Sequence, residues 1–350
     1  MAIYLIAMIV LFLFNVMAYQ DKKLQILLYR VSLVVLFFLT AFRWEVGCDF
    51  MTYEAYGSDV APGLSLEEAM TRGEPGYWTL AVLLDEGKFG WEWIDVFTAI
   101  SFYAGLHSMA RREANPLLFL TLAFPALIIG LAMSAVRQAL AMGFVCYAFN
   151  AFADKNRVRY IVCILIAGLF HKSALALLGL APFLFPGSIQ VKIVIGVLAA
   201  APMAYVMSRS EAAETYTSMY VNSGIEAGGG RFRVIPVGIT GAIFMLWLRK
   251  KWQETYPRDY ERMLFFAPLL VATVPLVFIS SVMGDRFGYY LMPLAFSIQT
   301  RAYMLLRPQY AFMAFLAPLV HCLVYMGVWI FLSSLFWQCY VPYKTWWFST

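Results

Sequence analysis

The chain has 350 residues, of which 62% are hydrophobic, 17% aromatic and only 13% charged. A soluble domain carries about 25% charged residues, so this composition excludes a soluble globular protein and predicts an integral membrane protein. The net charge of +5 comes from basic residues spread over many loops, so we expect no nucleic-acid partner.

Apolar runs recur along the whole chain, and the weak alternating pattern of a membrane β-barrel does not occur. At about 20 residues per crossing, we predict a polytopic all-α integral membrane protein of about 11–12 transmembrane helices, including one broken or re-entrant pair. We expect these helices to form a single transmembrane domain over residues 1–350. The spans predicted outside the broken pair are residues 3–19, 24–42, 92–109, 116–133, 135–152, 189–207, 234–248, 263–283, 287–306 and 310–332.

The broken pair is predicted at residues 160–185, where two apolar pieces flank His171-Lys172-Ser173. Each piece has about 12 residues, too few to cross a bilayer alone. Non-helical backbone at membrane depth survives only against protein or a wet cavity. His171 is therefore a candidate cavity residue, whose imidazole could act as a general base or hydrogen-bond a phosphate.

Lysine and arginine gather in alternate loops, which the positive-inside rule places in the cytoplasm. This arrangement puts two long loops, residues 43–91 and 208–233, on the outer side. The cytoplasmic groups are Lys22-Lys23, Arg111-Arg112, Lys155 with Arg157 and Arg159, and the run 249–262.

Cysteine and histidine spacing indicates neither a metal site nor a disulfide framework. Of the five cysteines, Cys146, Cys163 and Cys322 fall within spans, and only Cys48 and Cys339 lie near a surface. We therefore expect no disulfide framework, no metal and no cofactor.

Arginines stand at the predicted outer starts of three inward-running helices. A cation at this positive helix end is unfavourable by a few tenths to about 1 kcal/mol unless an anion binds there. Helix N-termini bind phosphate, and the planar guanidinium suits a diphosphate. We predict a pyrophosphate pocket, with pairing to an acid or a lipid headgroup as the alternative for each arginine. The residues are Arg137, Arg286 beside Asp285, and the pair Arg231 and Arg233.

A further charged stretch follows the second predicted span and runs from Arg43 to Asp49. Arg43 ends an outward-running helix, where a cation is favoured anyway, so pairing with Glu45 is the alternative to diphosphate binding. Asp49 and Glu45 are candidates to bind a sugar hydroxyl or accept its proton. The alternative for both is a solvated loop acid.

An ordered set of motifs runs through nearly the whole chain. They are Arg43-x-x-x-Gly47-x-Asp49 followed by Tyr53, then Glu74-Pro75-Gly76-Tyr77, Arg137-Gln138, His171-Lys172-Ser173-Ala174, and Arg286 before Tyr289-Tyr290. This set resembles the EpsG/Wzy-type family of polysaccharide polymerases. The resemblance implies a GT-C-like fold and polymerisation of undecaprenyl-diphosphate-linked repeat units at the periplasmic face of the bacterial inner membrane.

By that resemblance, the matched polar positions are Arg43, Asp49, Arg137, His171 and Arg286. Arg231 and Arg233 rest on the helix-terminus argument alone, and the resemblance assigns no base. The expected partners are undecaprenyl-diphosphate-linked glycans, membrane lipids, a chain-length regulator and a repeat-unit flippase.

We therefore predict a metal-independent glycosyltransferase with His171 or Asp49 as the catalytic base or orienting group. The predicted diphosphate ligands are Arg137, Arg286, Arg231, Arg233 and Arg43, and the predicted sugar ligands are Glu45, Tyr53 and Asp285. One alternative is an O-antigen ligase, which uses the same donor. Another is a polysaccharide or lipid-linked sugar exporter, which the scarcity of Asp, Glu and Lys at span depth disfavours.

Overall fold

The computed structural model describes residues 1–188, 190–196, 198 and 229–347. These residues are almost entirely helical, and the sheet among them is one antiparallel strand pair, Arg43–Trp44 with Lys344–Thr345. The predicted all-α fold is therefore confirmed. Most of the predicted outward loop 208–233 lies outside the described residues, which resume at Gly229.

The α-helices follow one another with short connections. Before residue 189 they are α1 (Ala2–Met17), α2 (Lys22–Ala41), α3 (Phe50–Ala55), α4 (Leu66–Thr71), α5 (Pro75–Glu86), α6 (Trp93–Ala110), α7 (Pro116–Ala123), α8 (Val136–Ala153) and α9 (Arg157–Phe170). After residue 228 they are α10 (Gly230–Ile243), α11 (Arg249–Thr255), α12 (Pro257–Ile279), α13 (Ser281–Ala302), α14 (Pro308–Leu332) and α15 (Ser334–Tyr340). Wider π-helical turns occupy Tyr56–Val60, Phe124–Ala132 and Phe244–Leu248, and 3₁₀ turns occupy Ala61–Gly63, Lys172–Leu184 and Tyr303–Leu305.

The chain divides into two compact units. The first contains Met1–Gly143, Leu169–His171 and Phe296–Thr350, and the second contains Phe144–Gly168 and Lys172–Ala295. The single domain predicted over residues 1–350 stays a prediction.

Four helices in the described part of the chain are long and apolar enough to cross a membrane: Lys22–Ala41, Gly230–Thr255, Pro257–Ile279 and Pro308–Leu332. Shorter apolar helices are Ala2–Met17, Pro116–Ala132 and Lys172–Leu184. The chain is therefore a membrane-embedded helical protein. The count of about 11–12 spans, the re-entrant pair and the GT-C-like architecture stay predictions.

The helix break predicted at His171 is present. α9 ends at Phe170, His171 is not helical, and a 3₁₀ helix begins at Lys172. A second break, at Ser280, differs from the predicted spans 263–283 and 287–306. Because Ser280 has extended backbone angles between α12 and α13, α13 begins at Ser281 and Arg286 lies in its second turn rather than at its start.

The segment predicted as the outward loop 43–91 is folded rather than irregular. It contains α3, α4 and α5, and the short apolar helix predicted at residues 77–84 is the middle of α5. The buried side chains of Tyr77 and Trp78 on α5 belong to one apolar cluster with Tyr53 of α3 and Val136 of α8. Burial of such aromatic side chains fixes α3 and α5 against the start of α8.

A disulfide joins Cys48 to Cys339, the two cysteines predicted to lie near a surface, although no disulfide framework was expected. The two cysteines are 291 residues apart, and no local pattern brings them together. The strand pair Arg43–Trp44 with Lys344–Thr345 holds the C-terminal segment against the loop, and the Gly47 N–H donates to the Cys339 carbonyl at 2.7 Å. Cys146, Cys163 and Cys322 remain free thiols.

We expect thiol counting to detect this bond. Denatured, unreduced protein should react with a maleimide at three cysteines, the free ones, and reduced protein at all five. Mass spectrometry of the labelled chain measures both numbers. Cys48→Ser should expose the Cys339 thiol before reduction, whereas Cys322→Ser, the matched control, should only remove one label. Labelling of all cysteines before reduction would contradict the bond.

Candidate functional site

A single carboxylate, that of Glu74, joins two of the residues that the sequence singled out. Glu74 Oε2 lies 2.6 Å from Arg137 Nη1, and Glu74 Oε1 lies 2.7 Å from His171 Nδ1. Glu74 is 8% exposed. The three residues belong to the first unit and form the Glu74 cluster.

The local sequence places Glu74 beside His171. Pro75 begins α5, so Glu74 is the residue before the helix, with a left-handed φ of 69°. At Gly76, a Cβ atom would lie 2.9 Å from the Leu169 Cβ and 3.1 Å from its carbonyl oxygen. The missing side chain lets α5 start against Leu169, two residues before His171. A left-handed non-glycine residue costs about 1–3 kcal/mol and persists only where its surroundings hold it, as the two ionic contacts do at Glu74.

Arg137 lies in the first turn of α8, as predicted. Its guanidinium carbon lies 5.6–5.8 Å from the ring centres of Tyr53, Tyr56 and Tyr77. The Arg137 backbone N–H donates to the Tyr53 hydroxyl at 3.4 Å. Ring faces attract a cation, so the three tyrosines and Glu74 hold the guanidinium in place. The side chain nevertheless stays 29% exposed, which leaves part of the cation accessible.

The hydrogen bond to Glu74 also defines the imidazole. A carboxylate only accepts, so His171 Nδ1 carries the hydrogen of this bond, and Nε2 is the nitrogen that accepts a proton when the ring is neutral. Burial raises the pKa of the Tyr53 phenol above its ordinary value, which is already well above neutral, so the hydroxyl keeps its proton. The Glu74 cluster thus combines a cation with an oriented imidazole, and the Tyr53 hydroxyl lies beside it.

Arg43 has a different environment from Arg137. It is 2% exposed, and its guanidinium bonds Asp95 at 2.7 Å and the carbonyl oxygens of Thr40, Val46 and Met133. These contacts favour the alternative of a paired cation, with Asp95 rather than Glu45 as the partner. Arg43 therefore lies outside the proposed site, and its diphosphate role stays a prediction.

The acidic residues of the same stretch are exposed. Glu45 pairs with Lys344. Asp49 precedes α3, and its carbonyl oxygen accepts from the backbone N–H of Tyr53 at 3.1 Å. Among Asp49, Glu45 and Tyr53, Tyr53 is the residue that the structure brings to the Glu74 cluster, through its contact with Arg137. The roles predicted for Asp49 and Glu45 stay predictions.

In the second unit, Arg233 and Asp285 form a bidentate ion pair. Arg233 Nε lies 2.8 Å from Asp285 Oδ1, and Nη2 lies 2.8 Å from Oδ2. Arg231 is exposed and lies over the Phe278 ring at 5.4 Å. Arg286 is partly exposed. The diphosphate roles of these arginines and the sugar role of Asp285 stay predictions, and the pairing of Arg233 with Asp285 matches the alternative of a nearby acid.

Sequence reasoning missed Glu74 as a site residue. It stood in the Glu74-Pro75-Gly76-Tyr77 motif, but an acid before a helix-starting proline is typical of an exposed loop. The signal that could have found it is Gly76: a glycine in the first turn of an apolar helix indicates close packing, which would bury its neighbour.

The EpsG family model matches residues 26–345, nearly the whole chain. The matched range includes the whole Glu74 cluster. This family is associated with polysaccharide polymerisation. No curated protein and no solved structure matches the chain.

We expect Arg43→Ala to lower the free energy of unfolding rather than to weaken substrate binding. The substitution leaves the Asp95 carboxylate buried without its cation, which typically destabilises by about 3–5 kcal/mol. Thermal unfolding of the purified protein in detergent should show a clear fall in Tm. Lys344→Ala is the matched control, because it removes an exposed pair worth about 0–1 kcal/mol. Equal Tm values for both variants would contradict a stabilising role for the Arg43–Asp95 ion pair.

Proposed function

The chain belongs to the EpsG family, and from this premise we propose that it polymerises oligosaccharide repeat units carried on undecaprenyl diphosphate. In this proposal the chain is a membrane glycosyltransferase that acts at the outer face of the bacterial inner membrane. The Glu74 cluster is part of its active site. The observation that carries the proposal is the buried Glu74 carboxylate, which holds Arg137 and His171 together.

The cluster supplies the two groups that this reaction requires. A cation must bind the diphosphate that leaves, and a base or hydrogen-bond acceptor must orient the attacking hydroxyl. Arg137 is a partly exposed cation at a helix N-terminus, where anions bind readily. His171 is an imidazole whose orientation the Glu74 carboxylate fixes.

The reaction forms one glycosidic C–O bond, breaks the C–O bond to the diphosphate and moves one proton from the attacking hydroxyl to His171. A hydroxyl oxygen of the incoming repeat unit attacks the anomeric carbon of the growing chain, and the bond from that carbon to the diphosphate oxygen breaks. The lipid diphosphate leaves with the electron pair, and Arg137 stabilises its negative charge. His171 Nε2 takes the hydroxyl proton, and Glu74 stabilises the imidazolium that forms. In this scheme the arginine supplies the positive charge, which agrees with a metal-independent reaction.

His171 is a better base than Asp49 in this geometry because it has an orienting carboxylate. Asp49 and Glu45 are exposed on the neighbouring segment and stay predictions for acceptor binding. The arginines of the second unit stay predictions for diphosphate binding. The predicted partners are a flippase that delivers repeat units, a chain-length regulator and membrane lipids.

The disulfide supports the outward orientation. Disulfides persist in oxidising compartments, such as the periplasm, and are rare in the cytosol. Cys48 lies five residues before Tyr53 on the segment that contains Glu74. A disulfide there favours a site on the outer side of the membrane, as the lysine and arginine distribution predicts.

The polymerase is separated from its alternatives by an assay with purified protein and lipid-linked repeat units. We expect a ladder of products without any added acceptor. Product only in the presence of a lipid A core would indicate the ligase, and the absence of any reaction would favour the exporter.

We expect Arg137→Ala and His171→Ala each to reduce polymerisation at least about 100-fold, as removal of one transition-state donor does in other enzymes. Glu74→Gln should cause a comparable loss because an amide cannot stabilise the imidazolium. Gel analysis of polymer in cells, with immunodetection of the protein, measures both activity and abundance.

Arg72→Ala is the matched control for Arg137→Ala. Arg72 is also an arginine over an aromatic ring, at 4.8 Å from the Trp78 ring centre, but it is exposed and outside the Glu74 cluster. We expect normal polymer from this variant. Normal chain lengths from Arg137→Ala would refute the proposed site.

A further inference from the structure

A cavity of about 190 Å³ lies in the first unit, away from the Glu74 cluster. It lies between the segment 57–62 and the C-terminal end of α5 with the turn that follows. Its lining includes two aromatic side chains, Phe89 and Trp91, with the carboxylate of Asp85 and the hydroxyl of Ser58. The proposed reaction uses none of these residues.

The lining suits one kind of ligand. A sugar ring has apolar C–H faces that pack on aromatic rings and a rim of hydroxyls that donate to a carboxylate. The lining contains no lysine or arginine, and Asp85 would repel a phosphate or an acidic sugar. A lipid chain would desolvate the Asp85 carboxylate without pairing it, which is costly. We propose that this cavity binds one sugar residue without negative charge, in a part of the glycan remote from the reacting bond.

The Trp91 ring is held in place by packing before any ligand binds. The Trp91 ring centre lies 5.5 Å from that of Trp44 and 5.3 Å from that of Phe50. A Cβ at Gly57 would lie 2.3 Å from the Trp91 Cβ. Glycine there lets the indole lie directly against the backbone of the opposite wall. A platform fixed in this way loses little conformational entropy when a ring packs on it.

The Asp85 carboxylate remains available, whereas the Ser58 hydroxyl already donates to the Glu54 carbonyl at 2.8 Å. Asp85 is exposed, and its carboxylate forms no hydrogen bond or ion pair within the described ranges. Phe89 is 52% exposed and touches Trp93 edge to face at 5.5 Å. A ligand can therefore reach both a ring and a carboxylate without displacing an internal contact.

α5 sets the distance of this cavity from the Glu74 cluster. Glu74 precedes the helix and Asp85 lies in its last turn, so at about 1.5 Å per residue the two are about 16 Å apart along the axis. That length corresponds to several sugar residues of a glycan. The inference rests on the proposed function, and it assigns the cavity a role in holding the polymer rather than in bond formation.

Oligosaccharide binding tests the cavity directly. The probe is a set of short glycans obtained by partial hydrolysis of the polysaccharide that cells carrying this chain produce. Calorimetry with the full-length protein in detergent should show binding, and Asp85→Ala/Phe89→Ala should raise Kd at least tenfold. The matched control is Leu83→Ala/Glu86→Ala, which removes an exposed apolar side chain and an exposed acid from the same helix, and its Kd should stay within twofold.

Three results would overturn the inference: no binding to the wild-type chain, an Asp85→Ala/Phe89→Ala Kd within twofold of wild type, or an equal rise in the control. Arg137→Ala should bind these glycans normally, because they contain no diphosphate. In cells, Asp85→Ala/Phe89→Ala should still polymerise but give chains at least twofold shorter on average. Failure of the wild-type chain to form a ladder from lipid-linked repeats would refute the proposed function. The effect of the cavity substitutions on the glycan Kd tests the cavity alone.

Discussion

The candidate site depends on one buried negative charge. A carboxylate that is 8% exposed needs partners, because an unpaired ion in a poorly hydrated site costs several kcal/mol. Glu74 obtains them from Arg137 on one oxygen and His171 on the other. The same charge therefore determines the position of the guanidinium and the orientation of the imidazole. A change of conformation in either residue would break one of these two contacts to Glu74, so the shared carboxylate couples the two groups.

Burial and partners distinguish arginines that look alike in the sequence. Arg43 has four hydrogen bonds and is almost fully enclosed, so its charge is already used to close the turn after α2. Arg233 forms a bidentate ion pair with both carboxylate oxygens of Asp285. Arg137 has one nitrogen on Glu74 and keeps part of its surface exposed, while the tyrosine rings stabilise the cation without neutralising it. An arginine in the last situation can accept an anionic ligand without first breaking an internal ion pair.

The sequence predicted the features that local rules control. Hydropathy predicted the helical membrane fold, and the polar interruption at His171 predicted a helix break. The position of Arg137 at a helix start also followed from the adjacent residues. The pairings could not be predicted in this way, because Glu74 and Arg137 are 63 residues apart and Glu74 and His171 are 97 apart. Which acid meets which base depends on tertiary packing, and hydropathy or spacing within one helix does not encode it.

The disulfide is a second contact between distant residues that local sequence rules could not predict. Cys48 and Cys339 were correctly placed near a surface, but two surface cysteines 291 residues apart pair only if the chain ends meet. The strand pair and the aromatic contacts of Phe42 with Trp346 and Trp347 bring them together.

The segment 43–91 is therefore tied down at its start by the disulfide and the strands, and along its length by the apolar cluster around Tyr77. Catalytic groups that must stay within a fraction of an ångström of their productive positions need such rigid support. A connecting segment with three helices and its own apolar packing can provide it, whereas a flexible loop cannot. Glu74 can position Arg137 and His171, which are distant from it in the sequence, only because this segment is folded.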